Sequence, residues 1–314
     1  MRTVIRLALA ASLAVTGTPT FAASCDKACL EDIAVKYLVA WRMHDTRQAP
    51  FAKKVRFSEN NVEMAFPDGS WDTISSQVGT PLVLSDPSTG QVVVYTTFLQ
   101  GPEQTFAASR LKVVSGSIAE IETILSTKRN LSAPPTPIGD IYNNPRDPDF
   151  TRVVPVEQRA TREVLKKQAD GYFSTLQFNN GEIRGASFTP DATRNENGMA
   201  FTEIEKAFRT GRYRFNNRVR DRDCFLIDEE RSAVTCRMFI DHKGVLDEYT
   251  LADGSKVKSV FREPQTWSAL ESFKVKNGKI TAVEATFTAA PYFIRSPFTK
   301  KPQPVYDAIR AGTP

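Results

Sequence analysis

The stretch "FKVKNGKITAVEATF" (Phe273–Phe287) repeats, in outline, the earlier "LKVVSGSIAEIETIL" (Leu111–Leu125). Lys, Val, Gly, Ile and Glu recur at an offset of 162 residues: Lys112/Lys274, Val113/Val275, Gly116/Gly278, Ile118/Ile280 and Glu122/Glu284. Ser115-Gly116 and Asn277-Gly278 are residues suited to a two-residue hairpin turn, whose two central positions need positive φ. Each stretch reads as the closing hairpin of a fold that the chain writes twice.

Both halves follow that plan outward from the hairpin. "CLEDIAVKYLVAWRMHD" has Leu30, Ile33, Ala34, Tyr37, Leu38 and Trp41 at helical spacing, and "ATREVLKKQADGYFSTLQFNNG" repeats it with Val164, Leu165, Ala169, Tyr172, Phe173 and Leu176. A second short helix ending in a small strand is expected after each, over 50–64 and 187–201, where Glu59-Asn60 and Glu196-Asn197 correspond. Strands follow: "GQVVVYTTFLQG" and "TFAASRLKVV" in the first half, "RSAVTCRMFIDHKG" and "TWSALESFKVK" in the second. The second half looks longer by "RYRFNNRVRDRDCFLIDEE" and "LDEYTLADGSKVKSVFREPQ". Between the halves, "STKRNLSAPPTPIGDIYNNPRDPDFTRVVPV" is proline-rich and aperiodic, a linker that Ile138, Ile141, Tyr142 and Phe150 could anchor. The expected division is a signal peptide (1–22), a first domain (23–126), the linker (127–156), a second domain (157–298) and a tail (299–314).

The signal peptide rests on Arg2 and Arg6 before the apolar run Leu7–Val15 and on "TPTFA" ahead of Ala23. That run is too short to span a bilayer, so the expectation is an exported protein, periplasmic or secreted. With those two arginines removed, the formal charge falls from +5 to +3, too mild an excess for a nucleic-acid partner. Four cysteines in an exported chain suggest disulfides. They allow three connectivities, and proximity favours Cys25–Cys29, at the start of the first helix, with Cys224–Cys236 across two strands. No CxxC pair accompanies the two histidines, His44 and His242, so no metal site is expected.

A helix carrying Tyr, a polar turn and a run of strands closed by an Asn-Gly hairpin resembles the NTF2-like, or SnoaL-like, superfamily. "KYLVAWRMHDTRQAPFAKKVRFSE" and "GYFSTLQFNNGEIRGASFTPDATRNENG" each resemble its opening, and "RVRDRDCFLIDEERSAVTCRMFIDHKG" with "ESFKVKNGKITAVEATFTAAPY" is similar to a group of uncharacterised SnoaL-like proteins. The resemblance implies an α+β fold of two tandem cones, each a curved antiparallel sheet whose concave face helices cover. It also implies a pocket for a small hydrophobic or aromatic molecule, chemistry without a cofactor, and halves packed as an internal pseudo-dimer, with homo-oligomers open.

Site candidates follow from chemistry and resemblance together. Tyr172 stands where isomerases of the family place an oxyanion donor, and Tyr37 is its first-half counterpart. In "NNRVRDRDCFLIDEER", strand alternation puts Asp221 and Asp223 on one face as bases and Arg220 and Arg222 on the other as clamps. The alternative for that run is a ladder of cross-strand ion pairs. His242 beside Asp241 is a candidate base, and Arg237 and Tyr292 are candidate substrate-binding groups. Glu122 and Glu284, equivalent in the two copies, read as structural. The function expected is a lyase, dehydratase or isomerase working by acid–base catalysis on a hydrophobic, aromatic small molecule, with lignin-derived compounds among the candidates. The alternatives are a non-catalytic binding module or an epoxide-hydrolase-like enzyme.

Overall fold

The structure is a computed structural model that describes residues 25–128 and 136–300. The signal-peptide expectation and the chain beyond residue 300 lie outside the described residues.

The first half comprises α1 (Lys27–Met43), β1 (Phe51–Glu59), β2 (Val62–Met64), β3 (Ile74–Asp86), β4 (Gln91–Gln100), β5 (Glu103–Val114) and β6 (Ser117–Thr127). The second comprises α2 (Arg162–Phe178), β7 (Phe188–Glu196), β8 (Met199–Phe201), α3 (Ile204–Arg209), β9 (Arg218–Asp228), β10 (Ala233–His242), β11 (Glu248–Thr250), β12 (Lys256–Lys258), β13 (Gln265–Lys276) and β14 (Lys279–Pro291). Two six-stranded sheets result, ordered β2-β1-β6-β5-β4-β3 and β8-β7-β14-β13-β10-β9. The orders are superimposable strand for strand, so the repeat in sequence is a repeat in topology.

Local chemistry sets these elements. Asp26 caps α1 by accepting from the Cys29 amide at 2.9 Å, and Thr161 caps α2 by accepting from Val164 at 3.3 Å. Ser115-Gly116 and Asn277-Gly278 both adopt left-handed φ at the turns of β5–β6 and β13–β14. Three expectations need correction. The segments 50–64 and 187–201 are the hairpins β1–β2 and β7–β8, not helices, because Asn60-Asn61 and Asn197-Gly198 turn the chain at positive φ. Each sheet is mixed rather than antiparallel: β1 runs parallel to β6 and β7 parallel to β14. Likewise "RYRFNNRVRDRDCFLIDEE" is no insertion, since β9 occupies the place of β3; the added element is the separate β11–β12 hairpin.

Three apolar clusters hold the molecule. One joins α1 to the first sheet through Leu30, Tyr37, Trp41, Phe57, Trp71 and Phe98. Another joins α2 to the second through Leu165, Tyr172, Phe173, Phe208 and Phe273. The third lies between the sheets, where Leu82, Leu84, Val93 and Tyr95 meet Leu226, Ala233, Leu270 and Ala282. Burial of this apolar surface is the main favourable term. Reciprocal ion pairs accompany it: Lys27 at the start of α1 contacts Asp228 at 2.6 Å, and Arg162 at the start of α2 contacts the equivalent Asp86 at 2.7 Å. The segment after residue 135 crosses both sheets, with Ile141 and Phe150 buried and Tyr142 exposed. Arg146 ties it to Glu284 at 3.0 Å.

Candidate functional site

β7, β10, β13 and β14 expose alternate side chains on the face of the second sheet that α2 also packs against. Period-two alternation therefore brings Arg194 and Glu196, Met238 and Ile240, Trp267 and Glu271, and Ala285 and Phe287 to one cavity of about 800 Å³. Leu176 of α2 and Ala207 of α3 wall it, and Tyr249, Leu251, Val257 and Val260 of the β11–β12 region roof it.

Its polar groups are few and concentrated. The Arg194 guanidinium is buried, donates to the Tyr172 hydroxyl at 3.0 Å and to the Tyr213 hydroxyl at 2.6 Å, and forms an ion pair with Glu196 at 3.0 Å. The Phe201 ring lies against the guanidinium, 4.8 Å from its central carbon. Glu271 is 2% exposed, and its Oε2 has no hydrogen-bond partner. Burial, then the Glu196 charge, pushes its carboxyl up to about 8, against the opposing pull of Arg194 and the Tyr172 hydroxyl. A neutral carboxylic acid at neutral pH thus sits beside an ion-paired carboxylate. A protonated carboxyl in such a place suits the role of an acid. The Tyr172 phenol is raised well above its usual range, by burial first, so it stays protonated. Its oxygen accepts from Arg194, and its own proton is directed to the Glu271 carboxyl.

The first copy keeps only part of this polarity: Glu59 stands at the register position of Glu196, beside Thr123 as Glu196 is beside Ala285, and accepts from the Ser70 amide at 3.1 Å. Ser109 stands at the register position of Glu271, paired across its hairpin with Thr123 as Glu271 is with Ala285. Phe57 stands at that of Arg194, beside Ile121 as Arg194 is beside Val283. Tyr37, matching Tyr172, donates to the Ser109 hydroxyl at 3.2 Å. The space is packed by Trp41, Trp71 and Phe98, with Trp41 and Phe98 ring centres 4.7 Å apart.

Of the residues singled out from sequence, Tyr172 touches this group through Arg194 without lining the cavity; the others stand behind or away from it. His242 is buried at the end of β10, stacked on Phe261 at 3.8 Å, with Nε2 at 3.0 Å from the Oδ1 of Asn216, which lines the cavity. Burial pulls its imidazole down to about 3, so it is neutral at physiological pH. β9 does not keep the simple alternation expected of it. Asp221 adopts φ 52°, and the pairing with β10 slips between Arg237 and Phe239. Its charged groups are consumed in ion pairs. Arg220 grips Asp241 at 2.9 and 3.0 Å, Asp221 accepts from Arg295 at 3.0 Å, and Arg222 reaches Asp170 of α2 at 2.9 Å. Arg237 bridges Asp223 at 2.9 Å and Glu122 of the first sheet at 2.7 Å, and the Tyr292 hydroxyl accepts from Arg218 at 3.1 Å.

Disulfides join Cys25 to Cys29 and Cys224 to Cys236, the latter across β9 and β10. Such bonds are the state of an oxidising compartment. No helix among the described residues is long and apolar enough to cross a membrane, and no group of three or more His, Cys, Asp or Glu among them could hold a metal ion.

Comparison with known proteins adds little that is specific. The model of a family described as a domain of unknown function (DUF8021) matches residues 158–287, less than half of the chain. No curated protein matches. Solved structures similar to this chain include a de novo designed protein with a curved β-sheet (15% identity, covering 41% of this chain and 88% of the design, TM-score 0.26). A second is an uncharacterised protein with a cystatin-like fold from Caulobacter vibrioides (13% identity, 48% and 93%, TM-score 0.25). A third is AclR from Streptomyces galilaeus (15% identity, 46% and 93%, TM-score 0.25). At those TM-scores the likenesses carry no weight here, and the fold rests on strand order and register.

Proposed function

We propose that the two halves are tandem NTF2-like cones and that the second is the active site of a cofactor-independent lyase, dehydratase or isomerase acting on a hydrophobic, aromatic small molecule. The observation that carries this reading is Glu271, a buried, protonated carboxyl with an unpartnered oxygen in a cavity whose inner walls are mainly apolar. In this reading Glu271 is the general acid, able to protonate a leaving hydroxyl or a carbonyl oxygen. Glu196, held by Arg194, is the base that takes the substrate proton, and Tyr172, between Arg194 and Glu271, positions the Glu271 carboxyl from behind the cavity wall. The apolar walls exclude water and so strengthen each of these interactions. The packed first cone would serve as a rigid partner surface.

The test is turnover of a panel of aromatic dimers and ring-hydroxylated compounds. For any compound converted, Glu271→Gln should lower kcat by about 100-fold or more, and Tyr172→Phe should lower it by less, through the lost hydrogen bond to Glu271. Loss of turnover in Asp223→Asn, with Glu271→Gln unaffected, would move the chemistry to β9 and refute the assignment. Saturable binding with no chemical change in any ligand would favour the exported binding module instead.

A further inference from the structure

Charge is unevenly distributed along the cavity. Its interior is balanced, because Arg194 faces Glu196 and Glu271 carries no charge at neutral pH. At the mouth, Lys206 is paired with Glu203 at 3.0 Å, but Arg212 and Lys258 line the cavity with no acidic partner among the described residues. The acidic side chains of the roof do not serve them. Glu248 binds Lys256 at 3.2 Å, and Asp247 is engaged by Arg262. Both free cations are exposed and come from segments joined to each other. The Tyr249 hydroxyl donates to the Arg212 carbonyl at 2.6 Å, and Tyr249 is paired in register with Val257, next to Lys258.

We infer that the ligand of this cavity is amphipathic and anionic at one end, its ring system among Met238, Trp267 and Phe287 and its carboxylate, sulfonate or phosphate at the mouth between Arg212 and Lys258. This rests on the cavity being a ligand site, as proposed above, and adds the substrate class. An apolar body gives such a ligand its affinity by leaving water. The two cations select its charge and its orientation, which turns the uncharged part toward Glu271. A neutral ligand would gain only the apolar contribution, and a cationic one would be disfavoured at the mouth.

Fluorescence titration of the full chain with anilinonaphthalene sulfonate and with phenylnaphthylamine, its counterpart lacking the sulfonate, separates the two contributions. The anion should bind more tightly. The double variant Arg212→Gln/Lys258→Gln should weaken the anion roughly fivefold, as two exposed charge contacts would, and leave the neutral probe unchanged. Added salt should shrink the preference in the wild type and not in the variant. Equal affinity for the two probes, or a preference that survives the double variant, overturns the inference while leaving the cavity reading intact. Ala285→Trp and, in the roof, Leu251→Trp should each block both probes. If neither does, the probes bind elsewhere and the cavity reading itself fails.

Discussion

Glu271→Gln should stabilise the protein at neutral pH, and more so as pH rises. The carboxyl ionises near 8 in the fold and near 4.5 in the unfolded chain, so between these values the native state holds a proton that the unfolded state has released. Stability therefore falls with rising pH across this window. What the protonated acid contributes is fully present below about pH 4.5 and is lost as pH climbs through 8. At about 1.4 kcal/mol per pH unit, the stability gap between Glu271→Gln and wild type widens by roughly 3–4 kcal/mol from pH 5 to pH 8. Glutamine keeps the volume and can never ionise, so the other titrating groups cancel in the difference. Urea unfolding of both proteins at pH 5, 6, 7 and 8 reads the gap directly. Parallel stability curves would show that Glu271 is not held protonated, and the acid role would fall with it. If the role holds, turnover should decline as pH rises through about 8.

Three further outcomes test the frame that holds the site. Arg237→Met leaves the buried Glu122 with Arg110 and Ser296 but without its partner from the second sheet; a loss of about 3–5 kcal/mol in urea is expected. Removing the Cys224–Cys236 bridge, separated by 12 residues, should cost about 3 kcal/mol through the closed-loop entropy of the unfolded chain, read by comparing the double Ser variant with wild type. Gly171→Ala would set a Cβ 2.3 Å from the Gly185 carbonyl carbon. The helix must then shift, and a fall of roughly 1–3 kcal/mol follows; an unchanged melting curve would mean that α2 does not lie so close to the 185–186 loop.

How far the sequence could be read depended on which physics left a mark in it. The hairpin echo carries the fold because turn geometry and strand period restrict residue types in both copies, and the paired Ser-Gly and Asn-Gly turns stand in the structure at left-handed φ. The hairpins at 50–64 and 187–201 were harder to see. Their asparagine turns resemble loop residues anywhere, and the short β2 and β8 strands are too brief for a periodic signal. "VRDRD" drew attention by its density of charge, yet such density on an edge strand is resolved here by ion pairs to Asp241, Asp170, Arg295 and Arg237. Glu271 has the opposite character. One acidic residue in "SALESF" looks like the solvent face of a strand, and only tertiary burial makes it an acid that holds its proton. A signal was present all the same. Extending the echo two residues upstream aligns Ser109 with Glu271, and matching the β1 and β7 pairings aligns Phe57 with Arg194. The polar differences between otherwise equivalent copies marked the cavity better than the conspicuous charges did.

The most direct test of the central claim is a crystal structure of the protein with a compound from the panel that it binds or converts. The account predicts the ligand in the second-half cavity, with a polar atom within hydrogen-bond reach of Glu271 and its rings against Trp267 and Phe287. A ligand seated on β9, or among Tyr37, Trp41 and Trp71 of the first half, would contradict it.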